Sequence, residues 1–149
     1  MANVVPYSFA QELLKGTHNF PTNTIYIALY AAGSGAPYAV SDTAYSSGVA
    51  NQVGTSGTGY TTGGKVLQNG TVANQTNVAT VTFDTISWTS ATFGAAYGVL
   101  YNNSSSDKLI VVLDFGGTKS CSNGTFTITF PSTSSGTPAG TDSLISITS

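Results

Sequence analysis

The side chains able to carry acid–base, nucleophilic or metal chemistry are few. They are Glu12, Asp42, Asp84, Asp107, Asp114 and Asp142, one histidine (His18) and one cysteine (Cys121). General acid–base catalysis needs two titratable groups held close together. Here Glu12 lies in a helix-forming segment, Asp107 and Asp142 in polar loops, and Asp84 where the apolar pattern slips. Asp114 alone falls inside an apolar strand, between Leu113 and Phe115. One acid without a partner reads better as a cap on a turn at Gly116-Gly117, or as a residue near the strand's open end, than as a catalyst. Zinc needs about four His, Cys or carboxylate ligands. His18, between Gly16 and Asn19, reads as a loop residue, and Cys121 as a small residue at a strand start. A single thiol closes no internal disulfide, which leaves an intermolecular one as the alternative. No G-x-S-x-G elbow occurs. Gly63-Gly64-Lys65 does not complete a phosphate loop, because Val66 stands where Ser or Thr belongs. No D-x-D run suggests calcium. The expectation is a protein that is not an enzyme and uses no metal or cofactor.

Composition points the same way. Charged residues are 7% of the 149, against about 25% in ordinary domains, and arginine is absent. Gly, Ser, Thr and Asn fill the polar positions. Such a chain packs beside identical copies while bringing few like charges together. A phosphate-binding face needs clustered cations, whereas Lys15, Lys65, Lys108 and Lys119 are scattered and the net charge is −2. No nucleic-acid partner is expected. No segment approaches the roughly 20 apolar residues of a membrane span, and the start lacks the charged and apolar regions of a signal peptide. The N-x-S/T sequences at Asn69, Asn74, Asn103 and Asn123 follow from an Asn- and Thr-rich composition.

The elements that must position any site are mostly strands. Residues 95–115 read as a long hairpin at the middle of a sheet. Ala95, Tyr97, Val99 and Tyr101 are expected on one face of its first strand, and Leu109, Val111, Leu113 and Phe115 on one face of its second. The polar break is 102–108. Apolar residues on both faces mark central strands. Residues 24–30, TIYIALY, repeat the pattern, with Ile25, Ile27 and Leu29 opposite Tyr26, Ala28 and Tyr30. Residues 59–67 read as a short strand, a Gly63-Gly64 turn and a return, followed by a hairpin turn at Asn69-Gly70. Residues 71–83 read as one strand. The period slips at Thr85, which predicts a bulge or a corner between sheets. Thr125–Phe130 reads as a further strand, half-exposed, ended by Pro131.

Residues 7–16 form the one helix. Ser8 and Gln11 suggest a capping box, and Gly16 a stop. A helix this short must dock on its own subunit or on a neighbour. The loop 31–58 has apolar content and should order by lying on its own sheet or a partner. Residues 132–142 have tether composition, and Leu144 to Ile147 could add an edge strand here or on a neighbour. The expected organisation is an N-terminal arm with the helix (1–22), a β core (23–131) and a C-terminal tail (132–149). The fold class is mainly β: an antiparallel β-sandwich, or a partly closed barrel, with one short N-terminal helix.

Taken together and in order, several stretches resemble a known family. They are SFAQELLKG at 8–16, NTIYIALY at 23–30, TGYTTGGKVL at 58–67, VATVTFDTISWTS at 78–90, FGAAYGVLYN at 93–102, LIVVLDFGG at 109–117 and GTFTITF at 124–130. The family is that of small virion structural proteins of tailed bacteriophages, often encoded among head and tail genes. The resemblance covers most of the chain. It departs in the loop at 31–57 and in the longer tail after Pro131. It implies a capsid decoration (cement) protein, made in the host cytoplasm and placed on the capsid surface, with a tail or fibre component as the alternative. The implied partners are the major capsid protein and copies of itself, as a homotrimer.

Candidate subunit or capsid contacts are Phe9, Leu13 and Leu14 on the helix, Tyr38 and Tyr45 in the loop, and Leu144, Ile145 and Ile147 in the tail. A competing reading is a carbohydrate-binding host-attachment module using exposed aromatics among Tyr38, Tyr45, Tyr60 and Trp88.

Overall fold

The computed structural model describes residues 3–75, 78–131 and 144–148. In chain order its elements are helix α1 (Tyr7–Leu14) and strands β1 (Ile25–Tyr30), β2 (Lys65–Val66), β3 (Thr71–Gln75), β4 (Val78–Thr82), β5 (Ile86–Asn102), β6 (Lys108–Ile128) and β7 (Ile145–Thr148). Sheet A has the order β2-β1-β5-β6 and sheet B the order β3-β4-β7, every neighbouring pair antiparallel. The architecture is an antiparallel β-sandwich with one short N-terminal helix, and the two sheets do not close into a barrel.

The alternation in β1 is as the sequence predicts. Ile25, Ile27 and Leu29 enter the main core between the sheets, while Ala28 and Tyr30 enter a second cluster on the outer face of sheet A. The slip at Thr85 is a corner between sheets, with β4 in sheet B and β5 in sheet A. The loop 31–58 lies on its own sheet. Tyr30 bridges Gln52, Ala44 bridges Lys108, and the Val53 amide donates to the Leu29 carbonyl.

The central hairpin is longer than its sequence suggests, and its faces differ from simple alternation. Ala95 sits in the main core, yet Ala96 and Tyr97 both turn to the outer cluster. Leu109 faces outward, Ile110 and Val111 both face the main core, and Val112 faces outward again. Register shifts between Ala95 and Tyr97, and between Leu100 and Tyr101, are the cause. A bulge sets two consecutive residues against one partner and so reverses the phase beyond it.

Gly116-Gly117 does not end the strand. Both residues lie within β6 at φ +70° and +124°, in a four-residue excursion between the pairs Ala95↔Lys119 and Tyr97↔Asp114. The stretch 125–128 belongs to this same strand, and Cys121 lies in its interior rather than at a start. Residues 71–82 are two strands paired from Thr71↔Thr82 to Gln75↔Val78. Asn69-Gly70 carries the chain from sheet A to sheet B instead of closing a hairpin. The Gly63-Gly64 turn is present, with Gly64 N–H donating to the Thr61 carbonyl. Residues 59–62 are not a strand; Tyr60 runs inward to the core.

Helix α1 has no capping box. Pro6 precedes it, no side chain caps it, and Ser8 Oγ is buried without a partner. Its C-terminus is well closed. Gly16 N–H donates to Leu13 O and Thr17 N–H to Glu12 O, with Gly16 at φ +71°, the paired bonds of a Schellman stop. The segment read as an arm packs into the body of the molecule: Val4 pairs with Val112, and Phe9 is buried in the main core.

Candidate functional site

Five of the eight expected contact residues come together. Phe9, Leu13 and Leu14 of α1, and Leu144 and Ile145 at the start of β7, line one groove of about 510 Å³. Ile110 and Val111 of β6 also line it, side by side because of the bulge described above. Val5 and Ala10 complete the apolar lining, Asn3 is the polar residue, and no lining residue is charged. Phe9 is nearly sealed, whereas Leu14 is 91% exposed, Tyr7 76% and Val5 52%. Leu14 and Val5, this open on the wall of a groove, are a surface for contact with another apolar surface. Tyr38 and Tyr45 lie elsewhere, in the outer cluster of sheet A. Ile147 pairs with Ala79 through its backbone, and its side chain falls outside the described residues, as do 132–143 of the tail.

Next to the groove lies a polar cluster that the sequence does not announce. The stop at Gly16 reverses the chain and returns His18 towards Glu12, whose carboxylate Oε2 is 3.1 Å from His18 Nε2. Lys108 Nζ at the start of β6 lies 3.4 Å from Glu12 Oε1. Asn102, at the end of β5, approaches the other ring nitrogen at 3.2 Å. His18 is buried between Phe9 and Phe20, not in an open loop. Burial pulls its pKa below the ordinary imidazole value, and Lys108 adds to that, against the upward pull of Glu12. Neither water nor substrate reaches an imidazole whose side chain has no exposed surface, so the cluster ties α1 to the sheet.

The outer face is tyrosine-rich. Tyr45 stacks flat on Tyr101 with centroids 4.1 Å apart, Tyr26 also stacks on Tyr101 at 5.5 Å, and Tyr30 meets Tyr38 edge-on. Their hydroxyls are used. Tyr38 donates to Ser46 O and Tyr101 to Gly63 O, while Tyr60, whose ring lies in the main core, accepts from the Leu29 N–H and from Gln52. Burial raises the phenol pKa of Tyr30, Tyr45, Tyr60 and Tyr101. Of the aromatics weighed for sugar stacking, Tyr38, Tyr60 and Trp88 are buried and Tyr45 is covered by Tyr101. They form no exposed platform, which corrects that expectation.

Asp114 caps the excursion at Gly116-Gly117 within β6, not a turn that ends the strand. Its Oδ1 accepts the Gly116 N–H, and that bond holds the carboxyl below the usual carboxylate range. Cys121 is half-buried, its Sγ 3.8 Å from the Phe93 carbonyl. Among the described residues no His, Cys, Asp and Glu gather in a metal-binding group, and no helix is long and apolar enough to cross a membrane. Comparison with protein-family models, with curated proteins and with solved structures returns no match.

Proposed function

We propose that this chain is a non-enzymatic structural subunit of a tailed-phage virion, a capsid decoration protein that binds the head shell as a homotrimer. The observation that carries the reading is the uncharged groove beside α1, with Leu14 and Val5 exposed on its walls. A subunit that repeats over a lattice must meet both its own copies and the shell, and copies of one chain close most simply with cyclic symmetry. The near absence of charge suits such contacts, because identical surfaces meet without like-charge repulsion. The motif resemblance to small virion proteins supplies the particle, and the groove supplies a means of attachment.

The test compares the wild-type chain with Leu14→Glu. Sedimentation velocity should give a trimer for the wild type and a monomer for the variant, with far-UV strand signal and melting temperature unchanged, since Leu14 makes little contact within its own chain. Only the wild type should bind undecorated shells and raise their resistance to heat. A wild-type chain that stays monomeric and leaves shells bare would sink the reading.

A further inference from the structure

One imidazole holds α1 from beneath, and its hydrogen bonds fix its charge. The Asn19 backbone N–H donates to Asn23 Oδ1 at 2.8 Å, so that oxygen is an acceptor. Asn102 Nδ2 lies 2.9 Å from the same oxygen, 3.2 Å from the Thr17 carbonyl and 3.2 Å from His18 Nδ1. With two acceptors already set around it, Asn102 must turn its NH₂ end, not its carbonyl, to the ring. Nδ1 therefore faces an amide nitrogen, which cannot accept a hydrogen bond, and carries no hydrogen. Nε2 carries it and donates to Glu12 Oε2. This is the neutral tautomer. A second proton has only Nδ1 to occupy, where an N–H would point at the Asn102 NH₂.

The groups facing the ring come from every side. Glu12 on α1 favours protonation, while Lys108 on β6 opposes it and engages the other oxygen of Glu12. Asn102 on β5 is not titratable. Sheet B brings Val72, Thr80 and Val81 to the space beside the ring, and none of them titrates. Phe9 and Phe20 flank the imidazole with centroids at 5.2 and 6.2 Å, leaving no solvent to stabilise a cation.

We propose that His18 is an acid-sensitive latch: uptake of one proton frees α1 from the sandwich while the two sheets stay paired, removing one wall of the groove and uncovering Phe9. The sign follows from linkage. A histidine whose folded pKa lies below its unfolded value of about 6.5 leaves the docked helix unpenalised above that pH. The docked state loses ground as pH falls below it. One proton taken up on opening raises the opening constant about tenfold per pH unit in that window.

The experiment is amide hydrogen exchange on the full chain by NMR from pH 7.5 to 5, corrected for intrinsic rates, alongside the titration of the ring protons of His18. As the single histidine, it gives an unambiguous signal. Protection of α1 amides should fall below about pH 6.5, by up to about tenfold per pH unit, while β1 amides keep theirs. The His18→Gln variant, which cannot take up the proton, should show no such slope. The proposal is overturned if α1 protection holds to pH 5, if β1 opens in step with α1, or if His18→Gln keeps the slope and so moves the sensor to Glu12. Should that variant fail to fold, the wild-type titration decides alone: a midpoint of 6.5 or higher overturns the latch.

Discussion

On one face of sheet A, Ile25, Ile27, Leu29, Leu100 and Ile110 meet Phe9 of the helix and Val81 and Phe83 from the sheet B side. On the other, Tyr30, Tyr97, Tyr101 and Val112 meet Tyr38 and Tyr45 from a loop. The difference lies in what the cover must satisfy. A helix or a sheet bonds its own backbone, so it can bring plain hydrocarbon to the interface. A loop brings unpaired N–H and C=O groups that need partners once buried. Tyrosine supplies ring area and a hydroxyl together. Where β2 ends after two residues, the Tyr60 hydroxyl and the Val53 amide take the bonds at Leu29 that another strand would have taken. The helix face leaves a groove open at its rim, whereas the tyrosine face is tied down by side-chain bonds.

Alkali should separate the two faces most sharply. Tyr30 and Tyr101 of the outer face are buried phenols whose folded pKa values lie above the ordinary 10, chiefly because of burial. Their contribution to stability is complete below pH 10 and is lost as pH rises above it. Each can remove up to about 1.4 kcal/mol per pH unit, so the two together approach about 3 kcal/mol per unit. The buried phenols should resist ionisation at 295 nm past pH 10, then ionise together as the far-UV strand signal is lost. Gradual ionisation with the sheet intact would mean that the tyrosine face is looser than its hydrogen bonds imply.

Phe9→Ala addresses the helix face. Phe9 is 5% exposed, and losing a buried phenylalanine costs about 3–5 kcal/mol. Urea melts should show that loss. A cost below about 1 kcal/mol, against that expectation, would make α1 a loosely attached arm, and the contrast between the faces would weaken. Tyr60→Phe keeps the ring and removes the hydroxyl that accepts the Leu29 N–H. A buried donor left unpaired costs about 1–3 kcal/mol, again read from urea melts. A cost near zero would mean that ring burial, not hydrogen bonding, seals that edge.

Much of the sandwich is legible in the sequence because strands apolar on both faces leave a direct mark. β1, the corner at Thr85 and the loop folded back on its own sheet all carry it. The phase of the hairpin is not legible. The bulges beside Ala96 and Ile110 change which face a residue takes without changing its type. Gly116-Gly117 misleads for a related reason, since positive φ serves an excursion within a strand as well as a turn between strands. The hairpin inside 71–82 has no glycine or proline to mark it. Of the groove, the helix and tail residues are readable as apolar side chains needing cover, but the wall at Ile110 and Val111 depends on a bulge. His18 was least accessible. Nothing beside it in sequence hints at burial, because Asn102 stands 84 residues away.

That separation also orders events during synthesis. At about 5–20 residues per second, Asn102 follows His18 out of the ribosome by on the order of 4–17 s. The surroundings of α1 include Ile110 and Val111, and His18 beneath it waits on Asn102, so the helix waits for all of them. An eight-residue helix does not persist alone in water. Meanwhile β5 and β6, joined by a short connection at 103–107, can pair locally as soon as both have emerged. The nascent chain thus carries Phe9 and Leu13 uncovered throughout that interval, a handle that the finished fold withdraws.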